Sequence, residues 1–121
     1  MISIEEGFHG GKYARRYRLA KAGDRSHSHR HTFDHHTILC ARFAVYEDGD
    51  GWREYEPGTL LVIEAGKWHQ FEAMEDEATY ICTHQLRKPD GSILTDEEAK
   101  GMTLNQLRAL TGELTEQRAA A

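Results

Sequence analysis

The chain has 121 residues, 39% of them hydrophobic, which is the size of one domain with a real but modest core. Fifteen Lys and Arg against twenty Asp and Glu leave a net charge of −5, which argues against general nucleic-acid binding. No apolar run approaches the ~20 residues needed to span a bilayer, and the start Met1-Ile2-Ser3-Ile4-Glu5-Glu6 lacks the basic head and apolar stretch of a signal peptide, so the expected location is the cytoplasm.

In chain order, the first feature is the run Lys12-Tyr13-Ala14-Arg15-Arg16-Tyr17-Arg18, basic with interleaved aromatics. Its alternation reads as an amphipathic strand over 12–20 with a solvated arginine face. Further strands are expected over 26–31, 37–46, 52–55, 59–63, 69–73 and 79–87, from period-two patterning and β-branched or aromatic enrichment. Turn residues punctuate them: Ala22-Gly23-Asp24, residues 47–51, Pro57-Gly58, Ala65-Gly66-Lys67, Glu75-Asp76-Glu77 and Pro89-Asp90-Gly91. Seven short strands without long helices between them predict an all-β fold, a small antiparallel sandwich or barrel.

Helix is expected only at the end. Thr95-Asp96-Glu97-Glu98 has the form of a capping box, and Thr103 with Gln106 repeats it before Leu104, Leu107, Leu110 and Leu114, which return to one helical face. Gly112 interrupts that helix, and Arg118 to Ala121 read as a frayed end. The chain thus divides into a barrel over 1–94 and a short C-terminal helical segment over 95–121 packed on it. Cys40 and Cys82 are too few for a disulfide scaffold and form no CxxC pair, so they read as reduced, partly buried thiols.

Five of the eight histidines, His27, His29, His31, His35 and His36, fall within ten residues. In a strand His29 and His31 share a face, about 6.5–7 Å apart along the chain, so their imidazoles can converge on one ion. His35 opens the next strand after the bend at Thr32-Phe33-Asp34 and can add a third nitrogen. His69, fixed by the tight turn before it, is the natural fourth. A solvated histidine-rich loop and a structural polar cluster are the alternatives. Burying imidazoles costs free energy for each unsatisfied nitrogen, whereas a metal turns those nitrogens into ligands, so metal binding is the preferred reading.

The spacing Gly23-x5-His29-x-His31-x3-His35, followed by Gly58-x5-Glu64-Ala65-Gly66-Lys67-Trp68-His69, resembles the two motifs of the cupin superfamily. The resemblance covers Gly23 to about Ala73 and implies a double-stranded β-helix, the jelly-roll barrel of small single-domain cupins. Four positions depart from the pattern. Glu64 replaces a proline, Arg42 a glycine and Ala73 an asparagine, all at turns. The fourth puts His35, or His36 if the spacing is read one residue longer, where the family's metal-binding glutamate belongs. All-imidazole ligation would leave a divalent ion more of its positive charge, and it suits transition metals rather than Mg or Ca.

The resemblance implies one divalent transition metal ion, Fe, Zn, Ni, Mn or Cu, held by His29, His31, His35 and His69. It also implies an enzyme acting on a small polar or anionic molecule, of dioxygenase or of isomerase or lyase type. A non-catalytic module that holds a ligand through the same ion, and a barrel that merely picks up zinc, are the rivals. His84 shares its parity with Tyr80 and Cys82 and is the candidate acid/base or substrate-orienting residue. Asp34 is either a ligand-orienting acceptor or a turn former, and His27 a pocket wall. Phe33, Tyr46, Trp68 and Phe71 are candidate apolar lining whose simpler role is core. A small-molecule ligand is the expected partner, with a homodimer, formed through the strand-forming N-terminal segment or the leucine stripe, as the expected assembly.

Overall fold

The structure, a computed structural model, describes residues 1–32, 34–111 and 113–116, the last four by their backbone only. Among these described residues ten strands and two short helices follow one another: β1 Ile2–His9, β2 Lys12–Leu19, β3 Ser28–His31, β4 His35–Leu39, β5 Phe43–Glu47, β6 Gly51–Tyr55, β7 Leu60–Ile63, β8 His69–Ala73, β9 Ala78–Gln85, α1 Asp96–Ala99, α2 Leu104–Arg108 and β10 Glu113–Glu116. They form two five-stranded sheets, β1-β2-β9-β4-β7 and β10-β3-β8-β5-β6, in which every pairing is antiparallel. Consecutive strands pair within a sheet only as the hairpins β1-β2 and β5-β6, and elsewhere the chain passes from one sheet to the other, winding a jelly-roll barrel. Among the described residues no helix is long and apolar enough to cross a membrane.

Three expectations need correction. The strand expected over 37–46 is two strands, because the chain leaves the first sheet at Leu39 and enters the second at Phe43. Backbone bonds from Cys40 N to Thr79 O and from Met74 N to Arg42 O hold the crossing. Strand β1 was not expected. It pairs with β2 along its whole length, from Ile2↔Leu19 to His9↔Lys12. The second helix does not continue to Leu114. It ends at Arg108 with Ala109 as its cap, and Leu114 lies in β10 opposite Arg30. Gly112 and residues 117–121 lie outside the described residues. Cys40 is exposed, whereas Cys82 is half-buried.

The inward face of the first sheet is layered by its register. Tyr17, Tyr80 and Leu39 lie across from one another, with Ile4 opposite Tyr17 on the edge strand but exposed, then Glu6, Arg15, Cys82 and Thr37, then Phe8, Tyr13 and His84. The layer of Tyr17, Tyr80 and Leu39, with Leu19 and Ala78 one step below it, joins Phe43, Val45 and Phe71 of the opposite sheet in the main core. Tyr80 stacks on both Tyr17 and Phe71, with centroids 4.5 and 4.1 Å apart. The top layer is closed by a second cluster in which Tyr13 and Phe8 meet Leu86, Leu94, Ala99, Met102 and Leu107, so the helices pack over one end of the barrel. Both helices open with complete capping boxes, Thr95 with Glu98 and Thr103 with Gln106.

Candidate metal centre

Between the apolar floor and the helical cover, four strands bring their histidines together. His29 and His31 come from β3, His35 from the first position of β4, His69 from the first position of β8 and His84 from near the end of β9. His29 and His69 are direct cross-strand partners. The turn before His69 is fixed from two sides. The Gly66 N–H, at φ +77°, donates to His31 O at 2.7 Å, and the Ala65 N–H donates to Asp34 Oδ1 at 2.8 Å. Asp34 therefore braces the loop that delivers His69 to the site.

His31, His35 and His69 are buried, and each offers a ring nitrogen within 4.8 Å of the others'. Ring centroids stand 4.1 Å apart for His31 and His35, 5.1 Å for His35 and His69, and 5.7 Å for His31 and His69. Two nitrogens each about 2.1 Å from a common zinc ion lie at most about 4.2 Å apart, so small rotations bring the widest spacing into range. His29 stands at the edge of this group. Its ring is 6.2 Å from that of His69, and its Nδ1 is 3.5 Å from Tyr17 Oη. An Nδ1–H donated to that hydroxyl would leave its Nε2 lone pair for an ion. His36, the alternative to His35, is exposed on the outer face opposite Val62.

His35 tests whether a metal fits. It is 1% exposed, and neither ring nitrogen has a hydrogen-bond partner among the described residues. Burial, reinforced by His31, His69, His84 and His29, pushes its pKa down to about 2, so it stays a neutral imidazole with a lone pair to give. His69 is oriented for the same purpose, since its Nδ1 lies 3.1 Å from Lys67 O; donation there leaves Nε2 as the ligand atom. The donor set, three or four neutral nitrogens, suits a divalent transition metal.

Around this group lie His84, with its ring 5.9 Å from His31 and 6.5 Å from His35, and Tyr13, whose ring is 5.2 Å from His84. Burial raises the Tyr13 phenol well above its usual range against the opposing charge of Arg15, with a hydrogen bond to Glu6 adding to the rise. Phe71 supports His69 edge-on at 5.7 Å. Trp68 lies under Arg30, Tyr46 against Trp52, and His27 is exposed at the mouth. Phe33 lies outside the described residues. The space among the imidazoles, Tyr13, Arg15, Tyr17 and Cys82 is about 10 Å³.

Sequence reasoning missed three of these wall residues. The alternation around Tyr13, Arg15 and Tyr17 fits an ordinary amphipathic strand with its arginines in water. Arg16 and Arg18 fit that reading, paired on the surface with Glu5 and Glu77. Arg15 corrects it. It has the parity of Tyr13 and Tyr17 and turns inward, its side chain only 20% exposed. The signal was available, because odd positions from Tyr13 to Leu19 form the buried face and Arg15 is one of them.

No family model and no curated protein sequence matches the chain. Solved structures do. KdgF from Halomonas sp. superposes with a TM-score of 0.61 at 22% identity, over 74% of this chain and 82% of that one. An RmlC-like cupin with a double-stranded β-helix from Methanocaldococcus jannaschii gives 0.61 at 9% identity, over 70% and 80%. The DMSP lyase DddQ from Ruegeria pomeroyi gives 0.60 at 13% identity, over 69% of this chain but 46% of that one. At these identities the likeness establishes the fold.

Proposed function

The chain has the cupin fold, and from that premise we propose that it binds one divalent transition metal ion and is an enzyme acting on a small polar or anionic molecule. His31, His35 and His69 hold the ion, and His29 completes the set. The observation that carries this reading is His35, a fully buried imidazole with both nitrogens unbonded inside a group of converging donors. Left without an ion it is a standing cost to the fold; given one it becomes a ligand.

A bound ion supplies Lewis acidity or a place to activate oxygen. The protein's own residues do the rest. Lys67 O fixes the ring of His69, and Tyr17 Oη holds His29. His84, beside both His31 and His35, is the group positioned to take or give a proton at the substrate. Dioxygenase and isomerase or lyase routes are both open to such a site. A lyase among the similar structures makes elimination the first reaction to assay.

A second reading, a module that holds a ligand without turnover, draws support from the small space of about 10 Å³ around the donors, room for one water-sized group. Either way the protein works in the cytoplasm as a homodimer. Elemental analysis of the untagged protein tests the shared premise: about one ion per chain is expected, lost in His35→Ala and His69→Ala. Full occupancy in both variants would overturn the ligand set. Oxygen uptake with small thiols, diketones and phenols, and elimination with small organic acids, then divide enzyme from binder.

A further inference from the structure

We propose that the outer face of the first sheet carries a second ligand site, a cleft that takes a small organic anion with an apolar body. This site lies apart from the metal centre and does not depend on it.

The strand register places the cleft. Gly7, Ala14, Thr83 and His36 follow one another across β1, β2, β9 and β4, and His9, Lys12 and Gln85 form the next row. On β2, β9 and β4 the alternate positions Tyr13, His84 and His35 face the barrel interior, so both rows face away from the imidazole cluster. The cleft has a volume of about 720 Å³, within the ~300–1,000 Å³ of small-molecule sites. The space among the imidazoles is about 10 Å³, so of the two only the cleft has room for an organic ligand.

Its floor is kept open by a residue that the fold itself does not require. Gly7 lies inside β1 in unbroken register with Ala14, its φ is not in the left-handed region, and a Cβ there would meet nothing within 4 Å. A glycine inside a strand costs about 0.5–1 kcal/mol relative to alanine. With no bulge, turn or close internal contact to account for it, Gly7 marks a place where something outside the chain approaches the backbone.

The charge on the wall sets the sign of the ligand. In a chain with twenty acidic side chains against fifteen basic ones, surface cations find carboxylates readily: Arg16 pairs with Glu5, Arg25 with Glu72 and Lys88 with Glu98. Lys12 and Arg87, both exposed on the cleft, pair with no carboxylate among the described residues, and Arg87 donates from Nη1 only to the backbone, at Gly91 O, 2.9 Å away. Among the described residues Asp34 is the one acid on the wall, and its Oδ1 already accepts the Ala65 N–H. Two cations against one engaged carboxylate, on a protein of net charge −5, make a local site for an anion. Phe8, Ala14 and the methyl of Thr83 offer contact to an apolar body. The exposed apolar residues Ile38, Leu60 and Val62, on the same face of the sheet, line no part of the cleft.

The test is a fluorescence titration with 8-anilinonaphthalene-1-sulfonate, an aromatic anion, and with N-phenyl-1-naphthylamine, which has the same rings and no charge. The wild type is expected to bind the sulfonate saturably, one per chain, and the neutral amine about tenfold more weakly or worse. Lys12→Gln with Arg87→Gln should lose sulfonate affinity by about tenfold or more and leave the amine unchanged. Lys21→Gln with Lys100→Gln, which removes the same charge elsewhere on the surface, should bind both dyes as the wild type does. Gly7→Val should weaken both dyes while keeping a urea midpoint no lower than the wild type's, because the added side chain fills the cleft and not the core. Sulfonate binding that survives the Lys12 and Arg87 changes, or falls equally in the Lys21 and Lys100 control, overturns the anion site. Loss of the sulfonate in Leu60→Glu overturns it too, by placing the dye on the apolar cluster instead.

Discussion

At the scale of single residues, His35 concentrates the conflict between folding and function. Each buried polar group left without a partner costs about 1–3 kcal/mol, and neither imidazole nitrogen of His35 is bonded to the described protein. Without metal, His35→Leu should therefore be more stable than the wild type by about 1–3 kcal/mol, the cost of the group it removes. With metal present the order should reverse, because only the wild type gains the binding free energy. Urea denaturation with chelator and with added zinc measures both. The same residue sets a pH dependence. Its pKa is about 2 in the folded state against 6.5 for an unperturbed histidine. Between these values the unfolded chain holds a proton that the folded chain does not. Metal-free stability is thus fully present above about pH 6.5 and falls by about 1.4 kcal/mol per unit as pH drops below it. His35→Leu should flatten that slope; an equal slope in both proteins would deny His35 this role.

At the scale of elements, the helical cover and the barrel meet most tightly at the β1–β2 turn. Gly11 is buried there, its carbonyl accepting the Leu86 N–H at 2.7 Å. A Cβ at this position would stand 2.1 Å from the Leu94 carbonyl oxygen, and Leu94 is itself held by its N–H to Leu86 O at 2.9 Å. Backbone on both sides leaves no flexible group to give way. Gly11→Ala is expected to destabilise by about 1–3 kcal/mol, read as a lower denaturant midpoint. Wild-type stability in this variant would show that the cover is loosely seated. The second element that matters is the β7–β8 turn, tied to β3 by Gly66 and to the loop before β4 by Asp34. Three ligand-bearing segments are thereby fixed to one another without the metal.

For the molecule as a whole, the outer face of the first sheet bears on assembly. Ile38, Leu60 and Val62 are more than two-fifths exposed and lie together, since Ile38 pairs with Leu60 and Val62 with His36. A cluster of this kind on a strand at the sheet edge is a natural contact for a second copy. Light scattering should return the mass of two chains for the wild type and of one for Leu60→Glu. A single-chain mass for the wild type would remove the homodimer.

What the amino-acid order determined was local. Alternation and turn residues marked seven strands. The HxH spacing put two imidazoles on one face, and the turn at Gly66 pointed to His69, because side-chain parity and backbone turns act over a few residues. Strand β1 carried the same signal in Ile2, Ile4 and Phe8, but Glu6 interrupts it, and that glutamate finds its partners, Tyr13 and Arg15 on β2 and Arg108 a hundred residues away, only in the folded chain. The break between Leu39 and Phe43 has no glycine or proline to announce it, for it arises where the chain must change sheets. Parity alone could not choose between His35 and His36. That was decided by where β4 begins against Ile63, the pairing that turns His35 inward. Nor could it show that Arg15 faces imidazoles rather than water, because what lies opposite a strand is set by the chain that packs against it, and only the closed barrel brings β2, β3, β8 and β9 around one space.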